Sequence, residues 1–164
     1  MALLAERDEV SDKWVDAGPF RAQLRYLMAS GSLTVEDVAA LAGISARLAD
    51  RLLHGRDGSQ LRRISPDTAR RLIQISNQHV QALRRIVVPA APARLQLRRL
   101  YRAGWDDLAI ARRVRGAVPE LVELARGCDT CSLLLTVRLT AAARAEDSLR
   151  YRNRLGWRGD RDVA

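Results

Sequence analysis

The sequence is poor in cysteine, aromatic residues and lysine, and these shortages exclude several classes of protein. Its 2 cysteines, Cys128 and Cys131, form one CxxC without a second pair, and no histidine lies at zinc-finger spacing from them. One such pair makes no disulfide framework, and the strand-helix-strand context of a thioredoxin-like redox site is missing. We therefore expect buried or idle thiols, no metal and no cofactor.

Long apolar runs and catalytic motifs are also missing. No stretch approaches the ~20 apolar residues that span a bilayer, and the acidic start MALLAERDEV is unlike a signal peptide. The sequence has no P-loop, HExxH or GxSxG, and no histidine stands with an obvious nucleophile and orienting acid. These absences favour a cytoplasmic protein that is not an enzyme and does not associate with membranes.

The charge that is present comes mainly from arginine. Lys13 is the only lysine among 28 basic residues, which outnumber 19 acidic ones. Residues 1–18 have a net charge of −3, whereas residues 19–92 and 93–164 each have +6. A basic body favours a polyanionic partner, and arginine binds phosphates and guanine edges with a fork of donors that lysine lacks. The alternative is a soluble protein with an arginine-rich surface.

Helical periodicity extends through nearly the whole chain, and no convincing alternating strand of four or more residues is found. We expect an all-α fold of two small helix-turn-helix modules, joined by a short Pro/Ala linker in VVPAAPAR and followed by a long C-terminal helix. Gly18–Pro19 and this linker predict an acidic segment over residues 1–18, a first domain over 19–88 and a second domain over 89–164.

Capping residues and apolar spacing predict the individual helices. Thr34 caps a helix that ends at Gly43, and Asp37 supplies only half of a capping box there. Ser45 caps the next helix, which continues through His54. The residues expected to point inward from the later helices are Ala69, Leu72, Ile73, Ile75, Val80, Leu83, Ile86, Leu135, Leu139, Ala142 and Leu149.

The chain partly repeats itself. FRAQLRYLMASG (20–31) aligns with ARLQLRRLYRAG (93–104) at an offset of 73 residues, and a three-residue deletion then aligns VEDVAAL (35–41) with WDDLAIA (105–111). This pattern favours two copies of one module. The alternative is chance similarity between helices that are rich in arginine and alanine.

The stretch SLTVEDVAALAGISARLADRLLHG (32–55) has the spacing of a helix-turn-helix. Gly43 suits a sharp turn that strains other residues, and the helix after it would enter the DNA major groove. Its outward residues are Ser45, Ala46, Arg47, Asp50 and Arg51. Arg47 and Arg51 are candidates for reading guanine or gripping phosphate, while Asp50 either accepts from a cytosine amine or holds Arg47 in place. The alternative is an ordinary helical hairpin.

The second module is less regular. We predict a helix over Asp106–Arg113, a turn at Val114–Gly116, and a helix over Pro119–Ala125 that contains Glu120 and Glu123. Either these glutamates accept from cytosine amines, or the module touches DNA mainly through arginines, which are Arg112, Arg113 and Arg115. A degenerate module that is kept for packing or protein contact is the remaining alternative.

Other arginines and the tryptophans complete the set of candidates. The loop arginines Arg56, Arg62 and Arg63 either contact the DNA backbone or minor groove, or belong to a solvated basic loop. The end of the sequence, SLLLTVRLTAAARAEDSLRYRNRLGW, predicts one long helix. Trp105 and Trp157 are expected in the core or as clamps between helices, not as platforms for stacked bases.

One segment resembles a known group of proteins. VPAAPARLQLRRLYRAGW (88–105), which follows the helix-turn-helix and ISPDTARRL (64–72), is similar to the tandem helix-turn-helix proteins of actinobacteria and their phages, most of all the temperate mycobacteriophage immunity repressors. The resemblance covers residues 20–157. It implies a monomeric transcriptional repressor in a bacterial host that binds asymmetric sites on double-stranded DNA with both modules. The alternatives are an adaptor that contacts RNA polymerase and an accessory factor for recombination or excision.

Overall fold

The computed structural model describes residues 14–56 and 59–154, which fold mostly into helices. The chain divides into two compact units: unit 1 ends at Ala82 and unit 2 begins at Leu83. Two small sheets accompany the helices, so the expected all-α class is confirmed in the coarser sense of a mostly helical chain. Most of the predicted acidic segment, and Trp157, lie outside the described residues.

Unit 1 consists of short helices and one two-stranded sheet. Its elements are β1 (Val15–Asp16), α1 (Gly18–Gly31), α2 (Val35–Ala42), α3 (Ala46–His54), β2 (Arg63–Ile64), α4 (Pro66–Ile73) and α5 (Asn77–Arg85), which ends past Ala82. Thr34 and Ser45 begin α2 and α3 as predicted, because each side-chain oxygen accepts one of the backbone N–H groups that the first turn leaves unpaired.

The cap of α2 is stronger than the sequence indicates. Thr34 Oγ1 accepts from the Asp37 backbone N–H at 3.1 Å, and Asp37 Oδ2 accepts from the Thr34 N–H at 2.9 Å. The expectation of half a capping box is therefore wrong. Aspartate at this position reaches back to the N-cap as glutamate does in the usual motif.

Unit 2 repeats the same order of elements. They are β3 (Val87–Pro89), α6 (Ala91–Arg102), α7 (Asp107–Val114), α8 (Val118–Arg126), β4 (Thr130–Ser132) and α9 (Leu133–Arg154). The expected Pro/Ala linker is wrong: VVPAAPAR forms β3 and the first turn of α6. Proline is tolerated at both places, at a strand end and in the first turn of a helix, so its presence did not mark a linker.

Each sheet joins the strand before the first helix of a unit to the strand after its third helix. In unit 1, Val15 lies opposite Ile64 in an antiparallel pair. In unit 2, Val88 lies opposite Cys131 in the same way. These pairs close each three-helix arrangement and fix where the segment after the third helix leaves it.

The cores are built from aliphatic side chains, and most inward predictions are confirmed. Ala69, Leu72, Ile75, Val80, Leu83, Leu135, Leu139 and Ala142 are all buried. Three are wrong: Ile73 is 67% exposed, Ile86 43% and Leu149 46%. Ile73 lies about 100° past buried Leu72 around the helix, Ile86 follows the end of α5, and the buried stretch of α9 ends at Ala143.

The structure corrects the register of the internal repeat. Thr34 and Asp106 are equivalent N-caps of α2 and α7, an offset of 72 residues. Only one residue is deleted, at the end of the first helix, where Ser32 (φ 50°) and Gly104 (φ 90°) turn the chain. The predicted three-residue deletion is therefore wrong. The sequence alignment matched similar residue types, whereas the helix caps identify the structurally equivalent positions.

An arginine on the first helix of each unit has the same long-range role, which explains part of the repeat. Arg21 donates from Nε to the Leu52 carbonyl at 2.8 Å and from Nη2 to the Leu61 carbonyl at 2.7 Å. Arg94 donates likewise to the Leu124 carbonyl at 3.3 Å and to Cys128 at 2.5 Å. Each of these arginines holds the end of the third helix and the loop after it against the first helix.

Candidate nucleic-acid interface

A tight turn sets the relation between α2 and α3. Gly43 has a left-handed backbone at φ 64°, and the Ile44 N–H donates back to the Ala39 carbonyl at 3.0 Å. Ala39 and Ala49 are buried, so small side chains stand between the two helices. The predicted helix ends at Gly43 and His54 are confirmed. The connection between α2 and α3 is short, and the packing of α3 on α2 fixes the direction of α3.

The outward face of α3 contains the predicted residues. Ala49, Leu52 and Leu53 are buried, whereas Ser45, Ala46, Arg47, Asp50 and Arg51 are all exposed. Ser45 also caps the helix, since its Oγ accepts from the Leu48 N–H at 3.1 Å. Within the described residues, the Arg47 and Arg51 guanidinium groups make no hydrogen bond or ion pair to protein groups. Their donors are available to a ligand.

Asp50 has a different partner from the one expected. Its Oδ1 lies 2.9 Å from Nδ1 of His54, one turn later on α3, and both side chains are more than 60% exposed. Asp50 therefore does not hold Arg47 in this structure. An exposed pair of this kind contributes little to stability, which leaves the carboxylate free to exchange its partner.

An arginine on α4 braces the turn, and the sequence did not reveal it. Arg71 donates from Nη1 to the Gly43 carbonyl at 2.8 Å, while its Nε lies 2.9 Å from Asp67 Oδ2. In unit 2, buried Arg138 on α9 donates from Nη1 to the Arg115 carbonyl at 3.3 Å. The two arginines occupy equivalent positions and hold the equivalent left-handed residue of each turn.

The three loop arginines of unit 1 are exposed beside the end of α3. Arg56 and Ser59 exchange two backbone hydrogen bonds of 2.9 Å, and the Arg62 carbonyl accepts from the Ala17 N–H at 2.9 Å. Arg63 belongs to β2, opposite Asp16. These backbone contacts hold both ends of the loop in place, and the side chains of Arg56, Arg62 and Arg63 are exposed to solvent.

The turn of unit 2 has a different distribution of charge. Arg112 and Arg115 are exposed and Arg113 is half-buried. Arg115 adopts φ 48°, a left-handed conformation that costs a non-glycine residue about 1–2 kcal/mol. We call Arg112, Arg113 and Arg115 the turn arginines.

The helix that follows this turn is not basic on its exposed face. Ala117 begins α8 without a side-chain cap, and Pro119 occupies its first turn. Glu120 and Glu123 are exposed, and Glu123 Oε1 lies 2.9 Å from Arg126 Nη1. Both predicted glutamates are therefore exposed, and Glu123 occupies the position that corresponds to Arg51 on the exposed face of α3.

Trp105 and Tyr101 of unit 2 serve packing. Trp105 packs on the core and its Nε1–H donates to Glu146 Oε2 at 3.3 Å. Tyr101 donates its hydroxyl to Asp107 Oδ1 at 2.5 Å. Burial, followed by this hydrogen bond and the charge of Asp107, raises the pKa of Tyr101 to about 12. Both side chains tie α7 or α9 to neighbouring elements.

The remaining features concern the cysteines, membrane spans and metal ligands of the described residues. Cys128 and Cys131 form no disulfide and are half-buried beside the unit 2 core. Over residues 14–56 and 59–154, no helix is long and apolar enough to cross a membrane, and no three His, Cys, Asp or Glu side chains converge as metal ligands. No protein-family model, curated protein or solved structure matches the chain. The candidate interface is therefore defined by the geometry and charge of the described residues alone.

Proposed function

We propose that the protein is a transcriptional repressor that binds double-stranded DNA in a sequence-specific way. Each unit is a helix-turn-helix module, and α3 enters the major groove. The observation that carries this proposal is the pair Arg47 and Arg51, which are exposed and have no hydrogen-bond or ion-pair partner among the described residues, on a helix whose direction is fixed. The groove is about 12 Å wide and a helix with its side chains is about 10–12 Å across, so α3 fits.

The spacing of the two arginines suits base readout. Four residues advance a helix by about 6 Å, which is nearly two base-pair steps of about 3.4 Å. Arg47 and Arg51 on one face of α3 therefore reach base pairs about two apart. A guanidinium that donates to both O6 and N7 of guanine discriminates against the wrong base by about 1–3 kcal/mol.

The loop arginines add to the positive charge of unit 1. Arg56 lies two residues beyond the end of α3, Arg62 and Arg63 lie where the loop meets β2, and all three are exposed. Contacts of this kind to phosphates fix the register of a reading helix without adding sequence information. They also make binding depend steeply on salt, since each neutralised phosphate releases bound cations.

The two modules on one chain support binding as a monomer to an asymmetric site. After the first module binds, the second is present at an effective concentration of order millimolar, so two weak contacts make one tight complex. Repression follows when the bound protein blocks RNA polymerase. In the type proposed here, that of phage immunity repressors, the protein acts on operators in the cytoplasm of a bacterial host.

Selection from random duplex DNA, followed by footprinting on the source genome, tests this function. We expect one enriched, non-palindromic sequence, a monomer in light scattering, and affinity that falls steeply with salt. Enrichment of no sequence, together with recovery of RNA polymerase in a pull-down, would instead identify an adaptor. Strong DNA bending at sites away from promoters would identify a recombination or excision factor.

A further inference from the structure

We propose that unit 1 alone reads bases, and that unit 2 grips phosphates through its turn arginines while α8 stays outside the major groove. This inference rests on the DNA-binding function proposed above. It assigns unequal roles to two units with the same fold: unit 1 supplies sequence preference and unit 2 supplies affinity.

The two units share structurally equivalent positions in their turns and helix ends. Gly43 and Arg115 are the left-handed residues of the two turns, and Arg71 and Arg138 brace their carbonyls. Gly55 ends α3 as Gly127 ends α8. A register of 72 residues therefore relates α2 and α3 to α7 and α8.

After the third helix the register changes to 67 residues. Arg63 of β2 lies opposite Asp16 of β1, and Thr130 of β4 lies opposite Pro89 of β3 in the same way. The Leu61 and Cys128 carbonyls, which the equivalent arginines of the first helices hold, keep the same register. Unit 2 therefore lacks most of the loop that displays Arg56 in unit 1.

Every exposed arginine proposed to face DNA in unit 1 is missing from unit 2. The equivalent pairs are Arg47 and Pro119, Arg51 and Glu123, Arg62 and Asp129, and Arg63 and Thr130. The surface that corresponds to the DNA-facing surface of unit 1 thus has carboxylates at two of these four positions. Carboxylates that approach the phosphate walls of a groove are repelled by them.

The turn arginines of unit 2 stand at positions where unit 1 has no cation. Arg112, Arg113 and Arg115 are equivalent to Ala40, Leu41 and Gly43. They gather at the end of α7 and in the turn, not along the helix that follows. Arginines placed there meet phosphates when the turn lies against the backbone, whereas the exposed carboxylates of Glu120 and Glu123 disfavour entry of α8 into the groove.

Arg115 is the most informative of these residues. Glycine occupies its position in unit 1, and arginine at φ 48° is strained. Arg115→Gly therefore removes the cation and relieves the strain at once. If the side chain binds phosphate, thermal stability increases while affinity for DNA decreases. A residue that serves only the fold would move both in the same direction.

The experiment measures affinity, salt slope and base preference of the full chain on the selected site. We expect Arg115→Gly and Arg112→Gln each to weaken binding about tenfold on every sequence and to reduce the salt slope by about 0.9. Glu120→Gln and Glu123→Gln should leave base preference unchanged. Arg47→Ala should alter base preference at one position and so confirm that unit 1 reads bases.

Two results would overturn the unequal roles and leave the DNA-binding function intact. One is a relaxed base preference in Glu120→Gln or Glu123→Gln, which would mean that the glutamates accept from cytosine amines. The other is full affinity and salt slope in Arg115→Gly and Arg112→Gln. Absence of DNA binding by the unaltered chain would overturn both proposals, and this outcome is distinct from the first two.

Discussion

Arg71 and Gly43 are joined by a 2.8 Å hydrogen bond from the guanidinium to the backbone carbonyl, across 28 residues of sequence. The bond ties α4 to the turn that directs α3. Arg138 and Arg115 form the equivalent bond in unit 2. A brace that occurs in both units at the same left-handed residue indicates that the angle between the second and third helices is a property each unit maintains.

Removal of this brace should weaken DNA binding through geometry. We expect Arg71→Met to lower the free energy of unfolding by about 0.5–1.5 kcal/mol and to reduce affinity without altering base preference. Arg70→Met is the matched control, because Arg70 also neighbours Asp67 but makes no bond to the turn. Urea unfolding and DNA titration measure the two effects. Equal behaviour of the two variants would show that the bond does not orient α3.

The two glycines that bound α3 should differ in their tolerance of alanine. Among the described residues a Cβ at Gly43 meets only Arg71 Nη1 at 3.5 Å, so Gly43→Ala should cost about 1–2 kcal/mol from the left-handed backbone alone. A Cβ at Gly55 would stand 2.5 Å from the Ser59 carbonyl oxygen, which is backbone and must move.

Gly55→Ala should therefore destabilise the chain more than Gly43→Ala, and it should also displace the loop that bears Arg56. Denaturant unfolding of both variants measures the order. The reverse order would mean that the backbone around Ser59 yields more easily than the contact at Gly55 indicates.

Tyr101 should make stability depend on pH at the alkaline end. Its pKa is raised from 10.0 to about 12, so the fold favours the neutral hydroxyl. The stabilisation is complete below pH 10 and is lost as the pH rises through about 12.

Tyr101→Phe lacks this ionisation and supplies the control. We expect the difference in unfolding free energy between the two chains to shrink between pH 10 and pH 12. Ultraviolet titration of phenolate absorbance gives the pKa directly. A constant difference across this range would show that the bond to Asp107 does not favour the neutral form.

The helices of unit 1 were predictable because their ends are marked locally. Thr34, Gly43, Ser45 and Gly55 specify where α2 and α3 begin and end, and the structure agrees with them. The strands were not predictable: each has two or three residues, too few to show alternation. Their pairing depends on partners that lie far away in the sequence.

The braces were beyond sequence analysis for the same reason. Arg71 and Arg21 look like ordinary surface arginines of amphipathic helices, and only the folded chain shows that each binds a distant carbonyl. The register of the repeat was missed because caps and left-handed residues, not similar letters, mark equivalent positions. Gly43 and Arg115 share a left-handed backbone conformation, although their side chains have nothing in common.

Arg47 is the residue on which the account depends most. We expect Arg47→Ala to cost about 1–3 kcal/mol of binding free energy and to relax base preference at one position. Arg47→Lys keeps the charge and loses the fork, so it should keep the salt slope while base preference falls.

The most direct measurement is the affinity of the unaltered chain, Arg47→Ala and Arg47→Lys for the selected site and for each of its single-base-pair variants. The account predicts that both substitutions abolish discrimination at one base pair and leave the others intact. Unchanged discrimination at every base pair in both variants would contradict the claim that α3 reads DNA.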